Sequence, residues 1–344
     1  MSPATRHFLR GLLLSALLLL AFAGAAGWWV YQDYRAFIDR PIAMADKEHL
    51  FEVRRGDSFR DVLAGLRRLG IHEGHDLYWR AMAWELGVMR RLQVGEYAIE
   101  HDISPRELLE RLERGDVVQY RITLIPGWNM RELRSALAAD PVLVQQLPGL
   151  SDDSLMEALG APGLPAEGQF LPETYQFTRG SSDLDILRRA HLALRRTLQA
   201  VWENRAPGLP LETPEQALVL ASIIEKETGR AGERREIAGV FVRRLKLGMR
   251  LQTDPTVIYG VGASFDGNLT RRHLETDTPW NTYTRAGLPP TPIALASPAA
   301  LEAAVDPAPG ETLYFVSRGD GSHQFSRTLA EHNAAVRRYQ LRRR

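Results

Sequence analysis

The chain opens on an unbroken apolar stretch. From Gly11 to Gln32 no residue is charged, and Leu, Ala, Phe, Val and Trp predominate. Those 22 residues match the roughly 20 that a helix needs to cross a bilayer core. Trp28, Trp29, Tyr31 and Tyr34 gather at its far end, where an interfacial aromatic belt would lie. Ala21-Phe22-Ala23 resembles a leader-cleavage site. The apolar run continues past it into the aromatic cluster, which favours an uncleaved anchor. Arg6 and Arg10 precede the span while Arg35, Arg40 and Lys47 follow it, so the charge count does not set the orientation. A short cytoplasmic tail (1–10), a transmembrane helix (11–32) and a polar linker (33–47) broken at Pro41 are expected.

Beyond residue 48 the pattern alternates between short strands and short helices. Leu50–Val53 reads as a strand closed by Arg55-Gly56-Asp57. Ser58 caps a predicted helix to Leu69, which Gly70 stops. A second helix is predicted over Asp76–Leu86 and a short strand over Tyr97–Ile99. Ser104, Pro105 and Glu107 then make a capping box with proline at the first helical position. That helix ends at Gly115. Val117–Ile125 is strand-like and closed by Pro126-Gly127. Residues 128–205 are predominantly helical, interrupted by Glu167-Gly168-Gln169-Phe170-Leu171-Pro172-Glu173-Thr174-Tyr175. That loop carries two carboxylates and aromatic rings, a composition suited to a site wall. The fold class expected is α+β: an apolar N-terminal helix, a small subdomain and a larger mixed domain.

The most informative stretch begins at Thr213. Thr213 and Gln216 make a capping box around Pro214. Ala217 to Ile224 is then apolar on every side, apart from Ser222, so the helix must be buried. Glu225, Lys226, Glu227 and Thr228 follow, with Gly229 as the expected stop. Glu225 lies three, four and seven positions after Ser222, Ala221 and Leu218; Glu227 stands in the same relation to Ile224, Ile223 and Leu220. Both glutamates therefore prolong apolar faces. Burial and the negative helix end raise a carboxyl pKa, and a carboxyl protonated near neutrality is a general acid. Pairing with Arg230, Arg234 or Arg235 is the ordinary alternative, and helix periodicity does not choose between Glu225 and Glu227. Glu233–Leu247 is an amphipathic helix stopped by Gly248. The loops Met249–Thr256 and Thr278–Thr284, the latter leading to Gly287-Leu288-Pro289-Pro290, concentrate amides, hydroxyls and aromatics. Such groups meet the hydroxyl rims and apolar faces of sugars.

Composition narrows the chemistry. Forty-three basic and 42 acidic residues give a net charge of +1, against a nucleic-acid binder. The absence of cysteine excludes disulfides, thiolate metal sites and a cysteine nucleophile. His72, His75, His101, His273, His323 and His332 show no metal-ligand spacing. No metal or cofactor is expected.

The motifs ASIIEKET (221–228), MRLQTDPTVIY (249–259) and NTYT (281–284) with GLPP (287–290) resemble the endolytic murein transglycosylases, the YceG-like family. The resemblance runs from about 48 to 335 and includes the 167–175 loop. It implies that Glu225 is the catalytic acid. Glu227, Glu173 and Asp254 are candidate second carboxylates, with ion pairing or turn structure as the ordinary alternative for each, and Gln252, Asn281 and Tyr283 are candidate substrate contacts. It implies a LysM-like peptidoglycan-binding subdomain at 48–118 and a catalytic domain at 119–344. It also implies a single-pass inner-membrane protein facing the periplasm, acting on nascent glycan strands beside the peptidoglycan synthases. The implied reaction cleaves the β-1,4 bond between N-acetylmuramic acid and N-acetylglucosamine without water. The acid protonates the leaving oxygen, the muramic C6 hydroxyl attacks C1, and a 1,6-anhydro end results. A hydrolytic muramidase using the same site, and a non-catalytic peptidoglycan-binding scaffold, are the rival readings.

Overall fold

The computed structural model describes residues 3–43 and 48–341. The chain divides into two compact units, Met1–Tyr120 and Arg121–Arg344.

The first unit opens with α1 (Pro3–Ile38). Its Arg10–Ile38 stretch is long and apolar enough to cross a membrane. The helix does not stop where the apolar run stops. It continues through the first part of the expected linker, and Phe37, Ile38 and Ile42 are buried in the unit's own core. The Ile42 amide donates to the Ile103 carbonyl at 2.9 Å. A stretch that reads as polar by composition thus carries three apolar anchors. The end of that linker, 44–47, lies outside the described residues.

The rest of the unit runs β1 (Glu48–Val53), α2 (Phe59–Arg68), α3 (Asp76–Glu85), α4 (Val88–Arg91), β2 (Gly95–Glu100) and α5 (Pro105–Arg114). Strands β1 and β2 pair antiparallel, Phe51 opposite Tyr97. Ser58 and Asp61 close a reciprocal capping box on α2. On α5 only half of the expected box forms. The Ser104 hydroxyl accepts from the Glu107 amide, but the Glu107 carboxylate turns to Arg111 at 2.9 Å. Gly115 ends that helix at φ 72°, as a left-handed stop requires.

The second unit contains β3 (Tyr120–Thr123, which begins at the boundary), α6 (Met130–Ala138), α7 (Asp152–Ala158), β4 (Thr174–Phe177), α8 (Asp183–Glu203) and α9 (Pro214–Glu227). Then come α10 (Arg234–Lys246), α11 (Asp254–Val261), α12 (Arg271–Glu275), α13 (Pro298–Val305), β5 (Tyr314–Ser317), β6 (His323–Ser326) and α14 (Leu329–Val336). Strand pairs β3–β4 and β5–β6 form two small sheets. Every residue of α9 from Ala217 to Ile224 is buried, as its all-round apolar sequence demands. It is embedded among residues of α8, α10 and α13. Two details differ from expectation. Helix α9 closes with Thr228 in extended backbone (φ −147°), and Gly229 has no positive φ. The end of the Met249–Thr256 segment, read as a loop, instead starts α11 at Asp254, because Pro255 takes a first-turn position that needs no amide hydrogen.

Candidate active site

The two glutamates at the end of α9 part company. Neighbours two apart on a helix point about 200° from one another, so they enter different surroundings.

Glu225 turns toward α13. Its Oε2 accepts from the Ser297 amide at 2.9 Å and from the Ser297 hydroxyl. Ser297 is the N-cap of α13. Oε1 lies 3.7 Å from the Arg234 guanidinium, and the side chain is only 6% exposed. Both oxygens are engaged by protein, in the arrangement that welds α9 to the start of a neighbouring helix. The alternative of pairing with a nearby arginine is realised here.

Glu227 turns the other way, into a cavity of about 440 Å³ that Gln252, Thr253, Asp254, Tyr283 and His323 also line. Its carboxyl accepts from the Thr253 hydroxyl. Burial raises this carboxyl to about 7; the Thr253 hydrogen bond opposes the rise, the Asp254 charge adds to it, and His323 pulls it down. A carboxyl in that range is divided between acid and carboxylate at neutral pH, which is what proton donation to a leaving group needs.

The segment 252–254 is held in place by the NTYT loop. Thr282 accepts from the Gln252 amide through its carbonyl (3.2 Å) and from the Thr253 amide through its hydroxyl (3.1 Å). Gln252 has φ 50°, the one non-glycine in the left-handed region among the described residues. Such backbone costs energy and persists where surrounding contacts enforce it, commonly at functional sites. The Tyr283 hydroxyl donates to Asp254 at 2.6 Å, and burial, with that bond adding to it, pushes the phenol pKa up.

The structure brings together Glu227, Gln252, Asp254 and Tyr283. It does not bring Asn281 or Glu173 with them. Asn281 is buried, its amide nitrogen donating to the carbonyls of His273, Leu274 and Thr276 and its oxygen accepting from the Tyr283 amide. It shapes the loop, with no group left for a ligand. Glu173 is exposed next to β4 and does not line the cavity. The 167–175 loop contributes Glu167 to a second cleft of about 690 Å³, with Lys226, Tyr259 and Trp280. Glu167 accepts from the Met130 amide and the Tyr259 hydroxyl, each at 3.1 Å. Burial outweighs these bonds and lifts its carboxyl to about 7.

Sequence reasoning missed Thr253, Glu233 and His323. The signal for His323 was present. Gly319-Asp320-Gly321 between two β-prone runs marks a hairpin, and pairing Ser317 with His323 sets that histidine beside the 314–317 strand.

A model of the YceG-like family matches residues 51–338. The chain belongs to that family. Among its relatives is the endolytic murein transglycosylase of Bacillus subtilis (strain 168), 30% identical over 72% of this chain and 73% of the relative. The protein of the same name from Streptococcus pneumoniae serotype 2 (strain D39) is 24% identical over 95% of this chain, which spans 65% of that longer protein. The crystal structure of a yceG-like protein from Listeria monocytogenes superposes with a TM-score of 0.51 at 26% identity, covering 84% of this chain and all of that one. The YceG-like match includes α9, the 249–259 segment, the NTYT loop and the β5–β6 hairpin, and so every residue lining the cavity around Glu227 except Gln340.

Proposed function

We propose that this YceG-like chain is an endolytic lytic transglycosylase of peptidoglycan, and that its catalytic acid is Glu227. The observation that carries the assignment is the divergence at the end of α9. Glu227 faces a cavity with its carboxyl raised to about 7, while Glu225 is spent on Ser297 and Arg234. This divergence supports Glu227 in the role that motif resemblance gives to Glu225. Glu227 protonates the glycosidic oxygen between N-acetylmuramic acid and N-acetylglucosamine. The muramic C6 hydroxyl closes on C1, and the strand ends in a 1,6-anhydro sugar. Gln252, Asp254 and Tyr283 border the same cavity as candidate substrate contacts. A single acid serves an intramolecular attack, whereas hydrolysis by retaining or inverting enzymes uses two carboxyl groups.

The names of the relatives support murein as the substrate. The apolar helix supports a membrane anchor; the inner membrane, the periplasmic side and work beside the peptidoglycan synthases are what the family resemblance implies. The β1–β2 pair with its intervening helices supports a LysM-like, glycan-binding role for the first unit.

The test is digestion of uncrosslinked glycan strands by the wild type, Glu227→Gln and Glu225→Gln, with mass spectrometry of the new ends. Anhydro ends from the wild type and none from Glu227→Gln are expected, with residual cleavage by Glu225→Gln. Reducing muramic ends from the wild type would overturn the lytic reading. Undiminished cleavage by Glu227→Gln would return the acid to Glu225.

A further inference from the structure

Glu227 is not alone in its cavity. His323, at the start of β6, lines the same wall, near enough that its protonated form acts on the Glu227 carboxyl. Its surroundings are specific. Its backbone amide donates to Glu233 Oε1 at 3.0 Å, and its ring Nδ1 lies 2.8 Å from Glu233 Oε2. The two side chains are 11% and 17% exposed. Phe315 meets the imidazole edge-on, ring centroids 5.4 Å apart at 89°, and fixes its plane. Burial pushes the Glu233 carboxyl up, but the hydrogen bonds from His323 outweigh it and the net direction is down. Glu233 is therefore a carboxylate, an acceptor only, so Nδ1 carries the hydrogen. In the neutral form of the ring the lone pair is then on Nε2, across the ring from Glu233. A carboxylate that fixes the tautomer of a histidine is the arrangement that makes the far nitrogen a proton acceptor.

We propose that His323, oriented by Glu233, is the base that takes the proton from the attacking C6 hydroxyl. The proposal rests on the transglycosylase reading. In that reaction one proton leaves the hydroxyl and another reaches the leaving oxygen. Glu227 gives its proton to the glycosidic oxygen as the C1–O bond breaks. The C6 oxygen bonds to C1, and its proton passes to His323 Nε2. The products are the anhydro end and the released sugar hydroxyl, with Glu227 as carboxylate and His323 as imidazolium. Transfer of that proton back to Glu227 restores the starting pair, and no water or co-reactant enters. Glu233 acts only through His323 and is a positioning residue. The other titratable or charged groups on the cavity wall are Asp254, Tyr283, Arg244, Tyr314 and His332. Arg230 sits behind the hairpin, bonded to the Asp320 carbonyl.

The experiment measures turnover of uncrosslinked glycan strands by full-length wild type, His323→Gln, His323→Ala and Glu233→Gln across pH 5–9, identifying the ends formed and the melting temperature of each. His323→Gln is expected to lose about 100-fold in turnover, in line with the contribution of a positioned base, while its products remain anhydro ends. The acid-side fall of the wild-type profile, where the imidazole takes a proton and stops acting as base, should flatten in that variant. Glu233→Gln should shift the fall to lower pH, because an amide supports the imidazolium less well than a carboxylate. Added imidazole should restore part of the activity of His323→Ala. Two outcomes overturn the proposal: turnover within a few-fold of wild type with the acid-side fall intact, or lost turnover that imidazole does not restore while the residual acid-side fall keeps its position. Failure of the underlying reading is distinguishable, because the wild type itself would then leave no anhydro ends.

Discussion

A carboxyl at about 7 is a testable property of one residue. Glu227 must be protonated to act as an acid, so turnover should fall as pH rises through about 7. A rate profile on isolated strands checks this, and activity still climbing at pH 8.5 would contradict it. Glu167 invites a test of stability instead. Its carboxyl ordinarily titrates near 4.5 and in the folded chain near 7. A raised folded pKa means that the native state binds the proton more tightly than the unfolded chain. The resulting stability is fully present below pH 4.5 and is lost as pH rises through about 7. Glu167→Gln removes this titration, so its melting temperature relative to wild type should increase from pH 5 to pH 8. An unchanged difference would count against the burial argument. At this scale the sequence disclosed that carboxylates cap a buried apolar helix. It could not disclose which one faces a cavity, because the partner that claims Glu225 is Ser297, 72 positions further on.

Among elements, the well-read ones were those whose own residues dictate them. The caps at Ser58 and Thr213, the apolar run of α9 and the stop at Gly115 all follow from local chemistry. The less legible ones depend on partners. Val117–Ile125 yields only the four-residue β3, since β4 supplies pairing for no more. The 167–175 segment read as a loop and candidate site wall, and Ala166 to Pro172 is buried. Gly168 shows what that burial requires. It sits at φ 76°, and a Cβ there would lie 2.4 Å from the side chain of Pro292 and 3.2 Å from the Ala294 carbonyl. Gly168→Ala is therefore expected to cost about 1–3 kcal/mol through backbone strain alone, with the Pro292 clash adding to it. Denaturant unfolding measures the loss; a change below about 0.5 kcal/mol would mean the segment relaxes freely.

For the whole molecule, the sequence announced a membrane-length helix followed by a mixed α+β body, and the chain divides into two compact units at Tyr120/Arg121. What it concealed was the join between helix and body. Shortened chains probe that join. One starting at residue 33 keeps Phe37, Ile38 and Ile42, while one starting at residue 48 loses all three from the first unit's core. Each buried side chain of that size contributes about 1.5–3 kcal/mol. Hydrogen exchange of the β1–β2 amides should be markedly faster in the shorter chain, and equal protection would show those anchors to be dispensable.

The same join has a mechanical meaning. A chain that left the bilayer through a floppy leash could sweep its first unit over a wide shell of wall. Here the helix has no slack: its last turn is already packed into the unit it carries. At 1.5 Å per residue, the six positions from Gln32 to Ile38 amount to a rise of about 9 Å. On the anchor proposed above, a first unit mounted so short on its mast would be held close against the membrane face.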